Sequence, residues 1–208
     1  MPRSMDREER LRVIARASWR VLARDGLASL SVRNVAAEAG LAPSSLRYVL
    51  PTQQALREHA VESSVAGLQG RLAAVDRSGA GWPRELLAQL VPLDDERRLE
   101  MEVYVALGVA ALTDETLRPP RERYERTLRR ACRDAVDALV QETGGGAGPV
   151  DAAVDLESWA RVTHALVDGL ALQIVHRGPD DDPAWGGRVL DAHIDQIRTL
   201  ARALSTQD

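Results

Sequence analysis

Between residues 31 and 56 the chain reads SVRNVAAEAGLAPSSLRYVLPTQQAL. Its polar side chains are of the types that bind nucleotide bases and phosphates. An arginine such as Arg47 can make a bidentate contact to guanine O6 and N7, which discriminates against a wrong base by about 1–3 kcal/mol. Tyr48 and Thr52 can donate to phosphate oxygens, and Gln53 can do so as a neutral donor. Ser44 and Ser45 stand beside Arg47 and Tyr48, and Arg33 lies one short segment upstream.

Chemistry of this kind needs two short helices that hold the polar residues outward. Val32, Val35, Ala36 and Ala39 recur at helical spacing, and Gly40 follows at once. A glycine there ends a helix in the left-handed region without a Cβ penalty. Leu41 plugs the turn, and Pro43 suits the first turn of a second helix, where its missing N–H costs nothing. That helix, about residues 43–49, shows Ser44, Ser45, Arg47 and Tyr48 and buries Leu46 and Leu50. Pro51-Thr52 stops it, and Thr52 can cap the helix that follows. The layout is helix-turn-helix, with its second helix offered to a major groove.

Residues 10–56 resemble the DNA-binding domain of the TetR family of bacterial transcriptional regulators. The resemblance is carried by Ile14-Ala15, Asp25-Gly26, Ser31, Val35-Ala36, Ala39-Gly40-Leu41, Leu46, Leu50 and Leu56. It implies that Ser44, Ser45, Arg47 and Tyr48 face the major groove, that Arg33 reaches a base or phosphate, and that Thr52 and Gln53 contact the backbone. Four positions depart from the pattern. Arg47 stands where many members have Tyr, Leu50 where Phe is usual and Gln53 where Lys is usual. Ala42 replaces the hydroxyl cap of the recognition helix. The last two changes remove a phosphate-binding charge and a helix cap, so they bear on affinity and not on fold.

The net charge of −4 argues against a nucleic-acid binder when taken whole, but it is unevenly spread. Residues 1–56 hold nine Arg against five acids, and residues 57–208 hold 18 Arg against 26 acids. The positive part coincides with the helix-turn-helix. All 27 basic residues are Arg. A hydrophobic content of 45% without Phe predicts a Leu, Val and Ala core and almost no strand. The expected fold is all-α, with about nine helices. Residues 1–56 form an N-terminal three-helix helix-turn-helix domain, and residues 57–208 a helical ligand-binding and dimerisation domain. The lone Cys132 excludes an internal disulfide and fits a reducing cytoplasm. No apolar signal segment opens the chain and no run is long enough for a membrane span.

The first helix is expected over residues 6–24, with Trp19 in the core, and a long connecting helix over 53–76. Further helices are expected from Trp82 to Val91, from Asp95 to Leu112 and from Glu115 to Glu142, the last interrupted near its start by Pro119-Pro120. The run Gly144 to Pro149 reads as a loop, and two apolar helices follow, 151–177 and one beginning at Pro183 under an Asp182 cap. Their stripes, including Leu166, Leu170, Leu190, Ile194, Ile197 and Leu204, are too apolar for a solvated pair. This pair resembles the two helices from each subunit that build the four-helix dimer interface of the TetR family. The resemblance implies a symmetric, isologous homodimer, with Gly169 allowing close helix approach. His164, Asp168, Gly169 and Gln173 also resemble the effector domain of the betaine-regulator-like branch of that family.

Met101, Tyr104, Tyr124, Leu128, Trp159 and His164 are the candidate lining of an effector pocket. Mostly aliphatic lining with two aromatics suggests an apolar or mixed small molecule. His164 and Asp168 lie one helical turn apart. Enzyme chemistry finds little support. The four His, at 59, 164, 176 and 193, show no metal-ligand spacing, and neither a GxSxG, a P-loop nor a Cys–His arrangement occurs. No metal and no cofactor is expected. Asp180-Asp181-Asp182 reads as a capped, solvated loop. The expected function is a ligand-responsive, cytoplasmic, DNA-binding transcriptional repressor that holds a palindromic double-stranded operator as a homodimer and leaves it when a small-molecule effector binds. Its rival is an all-helical small-molecule-binding or enzymatic module with a vestigial helix-turn-helix.

Overall fold

The computed structural model describes residues 6–79, 81–143, 156–178 and 180–205, without the side chains of residues 204 and 205. The loop expected from Gly144 to Pro149, the start of the helix expected at Asp151, and the Leu204 side chain lie outside what is described. Nine α-helices and two 3-10 turns, and no strand, occur among the described residues: α1 (Arg7–Asp25), α2 (Val32–Glu38), α3 (Pro43–Val49), α4 (Gln53–Ala73), α5 (Trp82–Ala88), α6 (Asp95–Ala110), α7 (Arg118–Glu142), α8 (Leu156–His176) and α9 (Ala184–Ser205). The all-α expectation holds. No described helix is long and apolar enough to cross a membrane.

The chain divides into two compact units, Met1–Leu68 with Glu102–Arg123, and Gln69–Met101 with Tyr124–Asp208. In the first, Asp6 caps α1 by accepting from the Glu9 N–H, and Gly26, at φ 76°, lets the chain turn out of it. α1 packs on α2 and α3 through Ile14, Ala17, Val21 and Leu22, all buried. Trp19 is core as expected, and its indole N–H finds the Ala60 carbonyl at 3.1 Å and Ser63 Oγ at 3.2 Å on α4. A buried Trp needs such a partner for its N–H.

In the second unit α9 packs on α8 and α5. Gly186 makes the α8 approach possible: a Cβ there would stand 2.7 Å from Ile174 Cδ1. Gly169, by contrast, has nothing within 4 Å of where its Cβ would be. Arg98 of α6 donates to the carbonyls of Ile174, Val175 and Gly178 at 2.9, 3.2 and 2.6 Å. A guanidinium there satisfies carbonyls that a helix end leaves unpaired and meets the negative end of its dipole. The Asp182 cap is present, accepting from the Ala184 N–H at 3.0 Å.

Pro119 and Pro120 do not interrupt α7. The helix begins at Arg118, so both fall in its first turn, where a missing N–H has no intrahelical partner to lose. Residues 115–117 form a separate 3-10 turn capped by Asp114.

Candidate nucleic-acid interface

The turn between α2 and α3 is built by local bonds. Ser31 caps α2 by accepting from the Asn34 N–H at 3.2 Å, while the Asn34 amide donates to the Ser29 carbonyl at 2.8 Å. Gly40 takes φ 65°, and the Leu41 N–H reaches back to the Ala36 carbonyl at 2.9 Å, which closes the helix end. Ala42 precedes α3 in extended conformation with no side-chain cap, and Pro43 opens it. Thr52 caps α4, its Oγ1 accepting from the Ala55 N–H at 2.9 Å.

With Leu46, Val49 and Leu50 buried, α3 turns its polar face outward. Ser44 and Arg47 are exposed, Ser45 is half-buried, and Tyr48 is 82% exposed. Arg33 on α2, Thr52 and Gln53 are exposed as well. Among the described residues no carboxylate pairs with Arg33 or Arg47. Their charge is therefore available to an outside anion. Gln53 is less free, since its amide donates to the Leu30 carbonyl at 3.4 Å. Behind the reading face, Glu38 of α2 accepts from Arg20 Nε at 2.6 Å and from Arg24 Nη1 at 3.0 Å, both on α1. These two guanidinium groups, Arg20 foremost, hold the Glu38 carboxyl below its usual range. Glu38 is not among the residues expected to matter; a lone acid in a basic segment gives no sign of which helix it ties down.

The candidate effector residues are not all together. Tyr104 is half-buried in the first unit, whereas Met101, Tyr124, Leu128, Trp159 and His164 belong to the second. Trp159 leans toward α9, with its ring centroid 6.1 Å from that of His193. His164 of α8 has its Nε2 3.4 Å from Asp168 Oδ2 and 3.9 Å from Glu125 Oε2 on α7, and that nitrogen is buried without a hydrogen-bond partner. Burial raises the Asp168 carboxyl, His164 opposes this and Glu125 adds to it. Burial, and after it the Glu100 charge, push the neighbouring Tyr124 phenol well above its usual range. Cys132, also buried, is pushed up to about 12, so it stays a thiol and an inert one. Glu125 is the functional candidate that sequence reasoning misses, because an acid on an Arg-rich helix reads as solvated.

Of the residues expected at a dimer seam, Leu170, Leu190, Ile194 and Ile197 are buried within the chain's own packing, and Leu166 is half-buried. The apolar side chains that α8 and α9 leave exposed are Val162, Leu172, Val189 and Leu200.

Residues 80–199 match the family model described as BetI-type transcriptional repressor, C-terminal. The HTH-type transcriptional regulator PksA of Bacillus subtilis (strain 168) is 30% identical over 178 residues, covering 83% of this chain and 82% of its own. A transcriptional regulator of Rhodococcus sp. Rha1 superimposes with a TM-score of 0.69 at 29% identity, over 90% of this chain and 95% of that one. A regulator from Saccharomonospora viridis, solved in complex with choline, gives a TM-score of 0.73 at 19% identity over 91% and 97% of the two chains, a likeness of fold.

Proposed function

The chain belongs to the TetR family of transcriptional regulators, and we propose that it is a homodimeric, ligand-released repressor acting in the cytoplasm. Each subunit lays α3 in one of two successive major grooves of a palindromic operator, about 34–36 Å apart. Arg47 and Ser44 read base edges, Ser45 and Tyr48 flank them, and Arg33, Thr52 and Gln53 meet base edge or phosphate. The observation that carries this reading is the outward face of α3, with Tyr48 82% exposed and Arg47 unmatched by any carboxylate among the described residues. A monomeric domain with no partner there has no reason to present a large aromatic and an unneutralised cation on one short helix.

The second copy covers Val162, Leu166, Leu172, Val189 and Leu200. Leu170, Leu190, Ile194 and Ile197 support that face from beneath, and the open space at Gly169 admits a partner helix. The effector is a small cation with apolar parts, held by Glu125 and Asp168 beside His164, with Tyr124, Leu128 and Met101 around it. The carboxylates shift the expectation from an apolar ligand toward a cationic one; the choline complex of the Saccharomonospora viridis regulator is in keeping with that chemistry. A ligand that prefers the form unable to span two grooves draws the population off the operator.

Gel-shift titration on the promoter fragment upstream of its own gene tests the DNA reading. Arg47→Ala is expected to lower affinity by about tenfold to a hundredfold, from the 1–3 kcal/mol of a bidentate base contact, with dimerisation intact. Undiminished binding would remove Arg47 from the interface. Choline and tetramethylammonium, compared with a neutral alcohol in thermal-shift titrations of wild type and Asp168→Asn, test the effector site.

A further inference from the structure

A second binding site is carried by the surface between the end of α4 and α7, within one compact unit. Gln69, Leu72, Ala73 and Arg77 face Thr127, Arg130, Ala131 and Asp134 across a groove of about 420 Å³. The α7 residues recur at steps of three and four and form one stripe. Seven residues of helix make it about 10 Å long. Small-molecule sites occupy volumes of about 300–1,000 Å³ and combine an apolar floor with a few polar groups. Here Leu72 and Ala131 are the buried floor. Gln69 and Thr127 are joined across one end by a 3.4 Å hydrogen bond, and Arg77 and Asp134 across the other by a 2.9 Å ion pair. Arg77 is also fixed by lying over the Trp82 ring at 5.0 Å.

Arg130 is the exception. It is exposed on the rim, and among the described residues no carboxylate pairs with it. The groove therefore carries two guanidinium groups against one carboxylate, and its sign selects anions over cations.

We propose that the α4–α7 groove binds a small carboxylic acid with an unbranched apolar tail, its carboxylate on Arg130 and its tail along Leu72, Ala73 and Ala131. The carboxylate completes the charge that Asp134 leaves unmatched, and the tail covers the floor between the two cross-links. This ligand is opposite in charge to the cationic effector proposed above, and its site shares no residue with Glu125, His164 or Asp168. Occupancy bears on the last turns of α4, the same continuous helix that starts under the Thr52 cap.

Octanoate is the probe, with octylammonium as its charge-reversed control, in calorimetric and thermal-shift titrations of the full chain. Octanoate at ten times its dissociation constant is expected to raise Tm by about 3 °C, and octylammonium to have no such effect. Arg130→Glu, an exposed change, is expected to weaken octanoate at least tenfold. Ala73→Trp, which fills the groove without altering charge, is expected to do the same. Asp168→Asn is expected to leave octanoate binding unchanged. Equal response to the two probes, or octanoate affinity unaltered in both groove variants, overturns the proposal. Neither result touches the operator reading, which is measured on DNA.

Discussion

The helix-turn-helix region and the α7–α8 region place their polar groups in opposite ways. In the first, Arg33, Arg47 and Tyr48 stand in solvent on a frame closed by internal bonds such as Arg20–Glu38 and Trp19–Ala60. In the second, Glu125, His164 and Asp168 crowd together half-buried, with one ring nitrogen unsatisfied. A surface that reads a large rigid polyanion needs exposed charge on a stiff support. A pocket for a small ligand needs polar groups held out of water, where their effect on an incoming charge is greatest. The difference separates a macromolecular interface from a ligand site more clearly than residue types alone.

The largest expected effect comes from joining two copies. If Val162, Leu172, Val189 and Leu200 are the covered face of α8 and α9, Leu172→Asp with Leu200→Asp should give a monomer in sedimentation velocity. Both side chains are exposed in the single chain, at 39% and 42%, so the fold should survive by circular dichroism. Operator affinity should fall more than a hundredfold, because one half-site forfeits the contacts of the other. A dimer that persists in the double variant would move the seam elsewhere. Arg33→Ala comes next. If Arg33 meets a phosphate, the variant should weaken binding evenly across operator sequences and reduce the salt slope by about one for each phosphate no longer neutralised. A changed sequence preference with an unchanged slope would make it a base reader instead.

These outcomes also bear on how much was legible. The helix-turn-helix was, because its determinants are local: Ser31 before α2, Gly40 where φ must be positive, Pro43 at a first turn and Thr52 before α4 each act within a few residues. The all-α architecture followed from the same local rules. The body was less legible because periodicity tells that a side chain is covered and not by what. Leu190, Ile194 and Ile197 share a stripe that the chain itself covers, while Val189 and Leu200, beside them, stay outside. Tyr104 and Tyr124 look alike in sequence and belong to different units. Glu125 and Arg130 lie on one Arg-rich helix, and only the packing of α4 and α8 against it distinguishes them from solvated charge.

A smaller effect separates the buried polar pair of the body from its ligand cluster. His193 of α9 is 6% exposed, with Nε2 2.8 Å from Thr163 Oγ1 of α8. Burial lowers its pKa below the ordinary value, because an imidazolium there loses hydration. The unfolded chain then takes up this proton near pH 6.5, before the folded chain does. Stability from this group is full above that pH and is lost as pH falls through the folded value. Tm of the wild type should fall more steeply than that of His193→Gln between about pH 7 and 5. Parallel curves would mean that His193 is not what senses acid here.

The smallest effect tests whether an unsatisfied buried group in the helix-turn-helix region means what it does at His164. Ser18 of α1 is fully buried, and its hydroxyl has no partner among the described residues. Around it are Ile14, Ala17, Val21 and Leu22, a plain core with no cluster of charge. An unpaired buried hydroxyl costs about 1–3 kcal/mol, and Ala is also the better helix former. Ser18→Ala should therefore raise Tm by about 2–4 °C, corresponding to about 1 kcal/mol, with operator affinity unchanged. His164→Phe, at a site read as functional, should instead abolish the response to choline whatever it does to Tm. A Ser18→Ala protein that is less stable, or that loses operator binding, would give that hydroxyl a role and blur the contrast between the two regions.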